Sequence, residues 1–527
     1  CGEDNVITVW ADNSDDPSYP PGKPQDALDF AYFGGIYRDC WMIVHNKVFI
    51  TDPNYENETA GGGLFVSFDK VSEQSAQLKL DAHIRNTSRK SFGGKILYEL
   101  YDRDDKRVLS KEAGLSVSKG LAKQISCKVT VETPHLWSPD SPYLYKLHIY
   151  IKDKAGNTID GYYRRIGIRS IEFKGKDGFW LNGKPYPYPL MGANRHQDFA
   201  VIGNALPNSL HWRDAKKLRD AGMRVIRNAH YPQDPAFMDA CDELGLFVIV
   251  NTPGWQFWND QPIFAQRVYS DIRNMVRRDR NHPCILAWEL SINEIRMPEE
   301  FIDRAVAIGH EEYPGQTYIA GWMKYGYDIY IEARQHRKEA LYSKPLIVSE
   351  YGDWEYFAMN AGFEQERWSD MLPEERSSRQ ARGSGEVRLL QQATNVQEAH
   401  NDNLSTHAFA DGYWAMFDYS RGLLPDLELS GASDVFRLPK YAAWFFRSQR
   451  DADEGTPFSE PMVFIASEWK PGISRGVRIF SNCEEVELTL DGCSLGRRTP
   501  DTNTMSNRLP HPPFSFAASC EKPGTLT

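Results

Sequence analysis

Two glutamate residues follow short apolar segments and could act together as a pair of catalytic carboxyl groups. Glu294 ends the segment WELSINE, and Glu350 lies in KPLIVSEYG. Each segment is typical of a buried β-strand, so each carboxyl group is predicted to lie at a strand end. Such a pair in one cleft is what hydrolysis of a glycosidic bond needs. One carboxyl group protonates the leaving oxygen, and the other attacks or stabilises the anomeric carbon.

The central part of the chain must supply the strands that position this pair. Between residues 172 and 452, strand-like apolar segments alternate with helical segments, and eight strand candidates can be counted. This alternation predicts a (β/α)₈ barrel, in which catalytic residues lie at the carboxyl ends of the strands. The segments NRH, AHYP, NTPGWQFW, NE, EYG and WAMFD all fall at those ends.

The sequence patterns of the flanking regions are typical of β-sheet proteins. Residues 1–51 are predicted to be the trailing part of a β-sandwich, with strands in GEDNVITVWADN and GGIYRDCWMIVHNKVFI. Residues 52–171 alternate apolar and polar side chains, which predicts an immunoglobulin-like sandwich. Residues 453–527 predict the start of a further, C-terminal immunoglobulin-like sandwich. The expected fold class is therefore a multidomain β plus α/β protein.

Composition excludes several classes of function. The formal net charge is −11 and no long basic block occurs, which argues against a nucleic-acid-binding protein. No apolar run is long enough to span a membrane. The eight cysteines lack CxxC spacing, so a zinc site is not expected. A disulfide between Cys483 and Cys493 is conceivable, but unpaired cysteines are the favoured interpretation.

Six segments together resemble glycoside hydrolase family 2, the β-galactosidase and β-glucuronidase group. They are residues 29–39, 192–197, 227–249, 275–294, 345–352 and 411–420, and they occur in the order that the family requires. The resemblance implies a jelly-roll domain, an immunoglobulin-like domain, a (β/α)₈ barrel and further sandwiches. It also implies that the jelly roll is partial here, so we expect the chain to be a fragment of a longer protein, shortened at both ends.

The resemblance assigns roles to the residues around the carboxyl pair. Glu294 matches the family's general acid/base, and Glu350 matches its nucleophile. Asn293 matches the residue that binds the 2-hydroxyl group of the sugar. A retaining mechanism needs the two carboxyl groups about 5–5.5 Å apart, and strands four and seven of a barrel face each other across its mouth.

Four further residues match positions that bind the terminal sugar. His196 and His230 match histidines that line the −1 subsite, and Trp414 matches the tryptophan at its floor. Asp29 matches an acidic residue that reaches over to the sugar hydroxyls, although an ordinary turn residue is the alternative interpretation.

Three residues are interpreted from their positions near these motifs. Trp255 and Trp258 could form an outer subsite or could simply pack within their loop. Arg195 is expected to make a structural ion pair beneath the site.

The sequence after strand eight departs from the glucuronidase pattern. Family glucuronidases have an Asn-x-Lys motif there, whereas this chain has SRGLLPDLELSGASD. A neutral sugar is therefore favoured, and the leading hypothesis is a retaining exo-β-galactosidase. Because Arg421 could bind an acid group, a β-glucuronidase or another exo-β-glycosidase of the family stays an alternative. A catalytically inactive carbohydrate-binding protein is the second alternative.

The proposed chemistry requires no organic cofactor. A structural or activating Mg, Na or Ca ion is compatible with the resemblance, but the sequence does not identify its ligands. The expected partner is a carbohydrate substrate, and a homo-oligomer is left open. A periplasmic or secreted location is favoured over a cytoplasmic one.

Overall fold

A computed structural model describes residues 6–175, 178–187, 189–315, 317–333, 343–352, 372–452, 460–472 and 476–527. Within these ranges the chain forms a β-sandwich, a closed barrel and a smaller C-terminal β unit. The three units have separate hydrophobic cores.

An antiparallel sandwich of eight strands precedes the barrel. One sheet pairs β3 with β1 and β2 on one side and with β6 on the other, and the second sheet has the order β5-β4-β7-β8. From Cys127 to Val131, strand β6 buries every second residue, as its alternating sequence predicts. The strands are β1 (Val48–Ile50), β2 (Leu64–Asp69), β3 (Ser75–Asn86), β4 (Phe92–Tyr101), β5 (Arg107–Val117), β6 (Ala122–Glu132), β7 (Tyr145–Asp153) and β8 (Thr158–Ile166), with the short helix α1 (Pro53–Glu56) after β1.

Residues 6–47 form no β-strand, so the prediction of strands in this segment is wrong. Trp10 and Trp41 are 87% and 80% exposed. A strand needs a neighbour that bonds its backbone groups along its length. None of the described strands forms such a ladder with this segment, although the Ala31 N–H group donates to the Ser420 carbonyl oxygen at 2.9 Å. Strand β1 follows it but pairs with β3, so residues 48–50 belong to the second sandwich instead.

A small antiparallel sheet connects the sandwich to the barrel. It consists of β9 (Ile171–Phe173), β10 (Phe179–Leu181) and β11 (Lys184–Pro185). Phe179 packs against Phe247 at the start of a barrel strand, with ring centroids 5.5 Å apart. The sheet therefore covers the amino-terminal end of the barrel.

Eight parallel strands close into the predicted barrel, with the first paired to the last. They are β12 (Gly192–Arg195), β13 (Val225–Asn228), β14 (Phe247–Asn251), β15 (Ile285–Glu289), β16 (Ile319–Gly321), β17 (Ile329–Ala333), β18 (Leu346–Tyr351) and β19 (Ala410–Tyr413). The described helices between them are α2 (Asn208–Asp220), α3 (Pro235–Leu244), α4 (Pro262–Asp279), α5 (Glu299–Glu312), α6 (Pro373–Arg376) and α7 (Glu386–Asn403). None of the described helices combines the length and apolarity that crossing a bilayer requires.

Helix α3 shows how the local sequence sets the element boundaries. The Asp234 side chain accepts a hydrogen bond from the Ala236 N–H group at 2.8 Å, and Pro235 occupies the first turn. Gly245 ends the helix with a φ of 72°. A Cβ atom there would lie 2.3 Å from the Pro139 carbonyl oxygen, so both backbone conformation and space require glycine.

The chain continues through short elements into the C-terminal unit. They are β20 (Tyr419–Ser420), β21 (Leu427–Glu428), α8 (Tyr441–Ser448), β22 (Val463–Ala466), β23 (Val477–Ser481), β24 (Val486–Leu490), β25 (Cys493–Arg498) and β26 (Phe514–Phe516). Strands β22, β23 and β26 form a sheet, and β24 with β25 forms a hairpin. Residue 453, the predicted start of the last domain, lies outside the described residues.

The seven cysteines in the described part of the chain are all unpaired. Cys493 lies opposite Leu490 at the turn of the β24–β25 hairpin. Cys483 precedes the other end of the hairpin, so the register keeps the two thiols apart and no Cys483–Cys493 disulfide forms.

Candidate active site

The two predicted catalytic glutamates both lie at the carboxyl-terminal mouth of the barrel. Glu350 is the penultimate residue of β18 and is 6% exposed. Strand β15 ends earlier than predicted, at Glu289. The chain then continues to Asn293, which forms an isolated parallel β-bridge with Trp255. This bridge ties the segment that contains Glu294 to the loop after β14.

A single guanidinium group forms hydrogen bonds with several polar side chains at the floor of the site. Arg227, on β13, donates from Nη1 to Glu350 Oε1 at 2.8 Å and from Nη2 to Asn293 Oδ1 at 3.0 Å. It also donates to both oxygens of Glu289 at 2.7 Å. Asn293 Nδ2 lies 3.5 Å from Glu350 Oε1. The structure thus brings Glu350 and Asn293 together, with Glu294 next in the chain.

The charge balance at this floor keeps Arg227 cationic. Burial alone would lower the pKa of Arg227, but the carboxylates of Glu289 and Glu350 raise it above its ordinary value. A positive charge hydrogen-bonded to Glu350 stabilises the carboxylate form that a nucleophile needs.

Glu294 is fixed by the neighbouring loop. Its Oε2 accepts hydrogen bonds from Trp255 Nε1 at 3.1 Å and from Gln256 Nε2 at 2.9 Å. Its φ of 53° lies in the left-handed region, which costs a residue with a side chain about 1–3 kcal/mol. The surrounding contacts therefore hold the backbone of Glu294 in a conformation that the isolated chain would avoid.

An aromatic cluster lines one wall of the cleft. The rings of His230 and Trp414 stack, with centroids 5.2 Å apart and an interplanar angle of 14°. His196 meets Trp414 edge-on at 5.5 Å, and Phe30 lies 4.8 Å from His196. The cluster brings the predicted residues His196, His230 and Trp414 together under the N-terminal segment.

Both histidines are neutral. Burial and the nearby charge of Arg227 lower the pKa of His196 to about 3 and that of His230 well below its ordinary value. The nitrogens His196 Nε2 and His230 Nδ1 are buried without a hydrogen-bond partner among the described residues. Neutral rings with unused nitrogens can exchange hydrogen bonds with the hydroxyl groups of a sugar.

Asp29 reaches the barrel mouth from the N-terminal segment. Its Oδ1 lies 2.6 Å from Arg421 Nη2, and Tyr419 donates its hydroxyl hydrogen to Oδ2 at 3.1 Å. Burial raises the pKa of Asp29, and the charge of Arg421 opposes that effect. The cation that could have met an acidic sugar is therefore already paired with a carboxylate.

The remaining predicted residues fall in different places. Trp258 packs against Phe301 at a centroid distance of 4.8 Å, so it contributes to loop and helix packing. Trp255, in contrast, contacts Glu294 directly. Arg195 is fully buried and pairs with Asp214 at 2.6 Å, the structural ion pair expected of it.

Sequence reasoning missed three residues of the floor, namely Arg227, Glu289 and Asn194. Asn194 accepts from Arg227 Nη1 at 3.1 Å and donates to the Ser349 carbonyl group at 2.7 Å. All three are polar residues in the last two positions of barrel strands. Their position near the strand ends was the signal that could have identified them. Polar side chains in a buried strand need polar partners, so such residues are expected to bond to one another at the barrel mouth.

The described residues contain one group of three potential metal ligands, Asp242, His282 and Cys284. Asp242 already accepts from His282 Nδ1 at 2.6 Å and from the Cys284 N–H group at 3.0 Å. Arg164 Nη2 lies 3.2 Å from the other ring nitrogen of His282. The potential ligand atoms of Asp242 and His282 already take part in hydrogen bonds within the protein, and the positive charge of Arg164 faces them. The group therefore does not fit a metal site. It lies before β15, at the opposite end of the barrel from Glu294.

Comparisons with known proteins agree with this architecture. The family model described as "Glycosyl hydrolases family 2, TIM barrel domain" matches residues 171–376. A second model, "Glycosyl hydrolases family 2", matches residues 63–169. A domain of unknown function, DUF4982, matches residues 472–522.

Individual relatives span nearly the whole chain. A β-galactosidase of Thermoanaerobacter pseudethanolicus is 31% identical over 98% of this chain and 65% of its own length. A β-glucuronidase of Bacteroides fragilis is 26% identical over 95% of this chain and 74% of its own length. A crystal structure of a Bacteroides uniformis β-glucuronidase superimposes with a TM-score of 0.75 at 23% identity, covering 93% of this chain and 61% of that one. This chain therefore spans about two thirds of the length of these proteins.

Proposed function

Because the chain belongs to glycoside hydrolase family 2, we propose that it is a retaining exo-β-glycosidase. Its proposed substrate is an oligo- or polysaccharide with a terminal β-linked galactose. The observation that supports this most directly is the arrangement at the barrel mouth. Arg227 holds Glu350 beside Asn293, and the next residue, Glu294, is fixed by Trp255 and Gln256.

In the first step, Glu350 attacks the anomeric carbon while Glu294 protonates the glycosidic oxygen. The carbon–oxygen bond to the leaving group breaks as an ester bond to Glu350 forms. Arg227 keeps the attacking carboxylate oriented through its bond to Oε1. Asn293, anchored by the same guanidinium group, is placed to bind the sugar 2-hydroxyl group, a contact that strengthens as the ring becomes oxocarbenium-like.

In the second step, Glu294 acts as a base. It removes a proton from a water molecule that attacks the anomeric carbon, and Glu350 departs as a carboxylate. Two inversions at one carbon give a product with the same anomeric configuration as the substrate.

A neutral sugar suits the groups that surround the cleft. His196 and His230 are uncharged, and the charge of Arg421 is balanced by Asp29. Trp414 offers a flat apolar face, against which the C–H groups of a galactose ring can stack. These features favour galactose over glucuronic acid at the terminal position.

Activity on a panel of aryl glycosides tests the proposal. The wild-type protein should hydrolyse an aryl β-D-galactoside with a higher kcat/KM than the matched glucuronide, mannoside and glucosaminide. Proton NMR should detect β-galactose as the first product, before mutarotation. A higher kcat/KM on the glucuronide would overturn the galactose assignment, and α-galactose as first product would overturn the retaining mechanism. Binding of galactose without turnover of any glycoside would instead support a carbohydrate-binding protein.

A further inference from the structure

Lys23 extends from the N-terminal segment to the loop after β14. Its Nζ lies 3.9 Å from the centroid of the Trp255 ring, and it donates a hydrogen bond to Gln256 Oε1 at 3.3 Å. Trp255 and Gln256 are the two residues that bond Oε2 of Glu294. An ammonium group therefore lies one side chain away from the proposed acid/base.

No bonded anion in the described part of the chain neutralises the charge of Lys23. Among the described residues, no carboxylate makes an ion pair with it, and Asp29 and Glu294 attract it only at longer range. Burial lowers the pKa of Lys23, since partial removal from water disfavours the charged form. An anionic ligand would stabilise this partly buried ammonium group, because the ligand would replace the lost hydration.

The position of Lys23 indicates that it would contact the leaving group of the substrate. Glu294 protonates the leaving oxygen in the proposed mechanism, and Trp255 both holds Glu294 and supports Lys23. Asn293, the residue assigned to the sugar 2-hydroxyl group, forms a β-bridge with Trp255. On the proposed mechanism, Lys23 therefore lies on the side of the acid/base, where the leaving group is released.

We propose that Lys23 and Trp255 form an anion-binding subsite for the leaving group. The favoured substrates then carry a carboxylate or a sulfate group on the moiety that is released, next to the terminal sugar. The ammonium group binds the anion while the face of Trp255 supports the attached ring or chain. This inference rests on the proposed function, because it takes Glu294 as the proton donor.

Two fluorogenic galactosides of similar shape test the subsite. They are 4-methylumbelliferyl β-D-galactoside, with a neutral leaving group, and 3-carboxyumbelliferyl β-D-galactoside, with an anionic one. Lys23→Met should lower kcat/KM for the carboxylated substrate about fivefold more than for the neutral one, as expected for a partly exposed ion pair. Lys23→Arg should keep most of the wild-type ratio. Higher ionic strength should reduce the wild-type preference.

The control variant is Lys119→Met, an exposed lysine between β5 and β6, which should change neither rate. Equal losses on both galactosides for Lys23→Met would overturn the subsite. A selective loss on an aryl glucuronide would also overturn it, by placing Lys23 against the terminal sugar. If the wild-type protein hydrolyses no aryl glycoside, the proposed function itself fails, and this result is seen before any Lys23 variant is compared.

Discussion

Arg227 and Glu350 are joined by a hydrogen bond of 2.8 Å that links β13 to β18 across the barrel mouth. The same guanidinium group is bound to both oxygens of Glu289, which is fully buried. The proposed nucleophile is therefore part of a buried ionic network in which one cation balances two carboxylates. On the proposed mechanism, catalysis and stability are coupled at this point.

Replacing Arg227 with methionine should damage both properties. The change leaves Glu289 buried without its cation, which costs about 3–5 kcal/mol of unfolding free energy. It also removes the group that orients Glu350, so kcat on an aryl galactoside should fall at least about 100-fold. Denaturant unfolding and steady-state kinetics measure the two effects. The Arg227→Met/Glu289→Gln double variant should recover part of the stability and none of the activity; recovery of kcat would contradict the proposed role.

Glu350→Gln should abolish turnover while the fold is kept. The amide cannot attack the anomeric carbon, so the rate should fall roughly 10³-fold or more. Thermal melting of the variant serves as the control for folding. A residual rate above a few per cent of wild type would refute the assignment of Glu350 as nucleophile.

Trp255→Phe should slow the hydrolysis of poor leaving groups selectively. The substitution keeps an aromatic ring but removes the Nε1–H bond to Glu294 Oε2, so the acid is less well positioned. The kcat/KM for an alkyl β-galactoside should fall about tenfold more than that for a nitrophenyl β-galactoside, which needs less protonation. A series of aryl galactosides with graded leaving-group basicity measures this effect. Equal losses across the series would assign Trp255 to substrate binding alone.

The neutral state of His196 predicts a dependence of stability on pH. An unfolded histidine binds its proton near pH 6.5, whereas the pKa of folded His196 is about 3. Between these values the unfolded state holds the extra proton, so acid favours unfolding. As the pH falls through this window, the wild type should lose about 1.4 kcal/mol per pH unit more than His196→Asn. Urea unfolding at several pH values tests this, and parallel stability curves would show that His196 titrates normally.

Asp29→Asn should change the choice of sugar. It removes the carboxylate partner of Arg421 and leaves the cation free to bind an acid group. The ratio of kcat/KM for an aryl β-glucuronide to that for the matched galactoside should rise about tenfold, because the net charge of the pair changes from zero to +1. The Arg421→Gln variant is the matched comparison and should not raise this ratio. An unchanged ratio in Asp29→Asn would remove the pair from the explanation of specificity.

The barrel could be predicted from the sequence because its signals are local. Strands such as β14 (FVIVN) and β15 (ILAWE) are mainly apolar segments, and helices such as α3 carry their own caps. The order of these elements leaves few alternatives to a barrel. The same reasoning wrongly predicted strands within residues 6–47. An alternating pattern indicates a strand, but it does not supply the neighbouring strand with which it must pair.

The sequence by itself determined the alternation of strands and helices, and it placed Glu294, Glu350, Asn293 and the two histidines near strand ends. These properties follow from hydrophobic periodicity and turn chemistry within short stretches of chain. Only the tertiary structure decided that Arg227 bridges Glu289 and Glu350, that Asp29 pairs with Arg421, and that Lys23 lies over Trp255. Such pairings join residues far apart in the sequence, so they depend on how closing the barrel and docking the N-terminal segment bring side chains together.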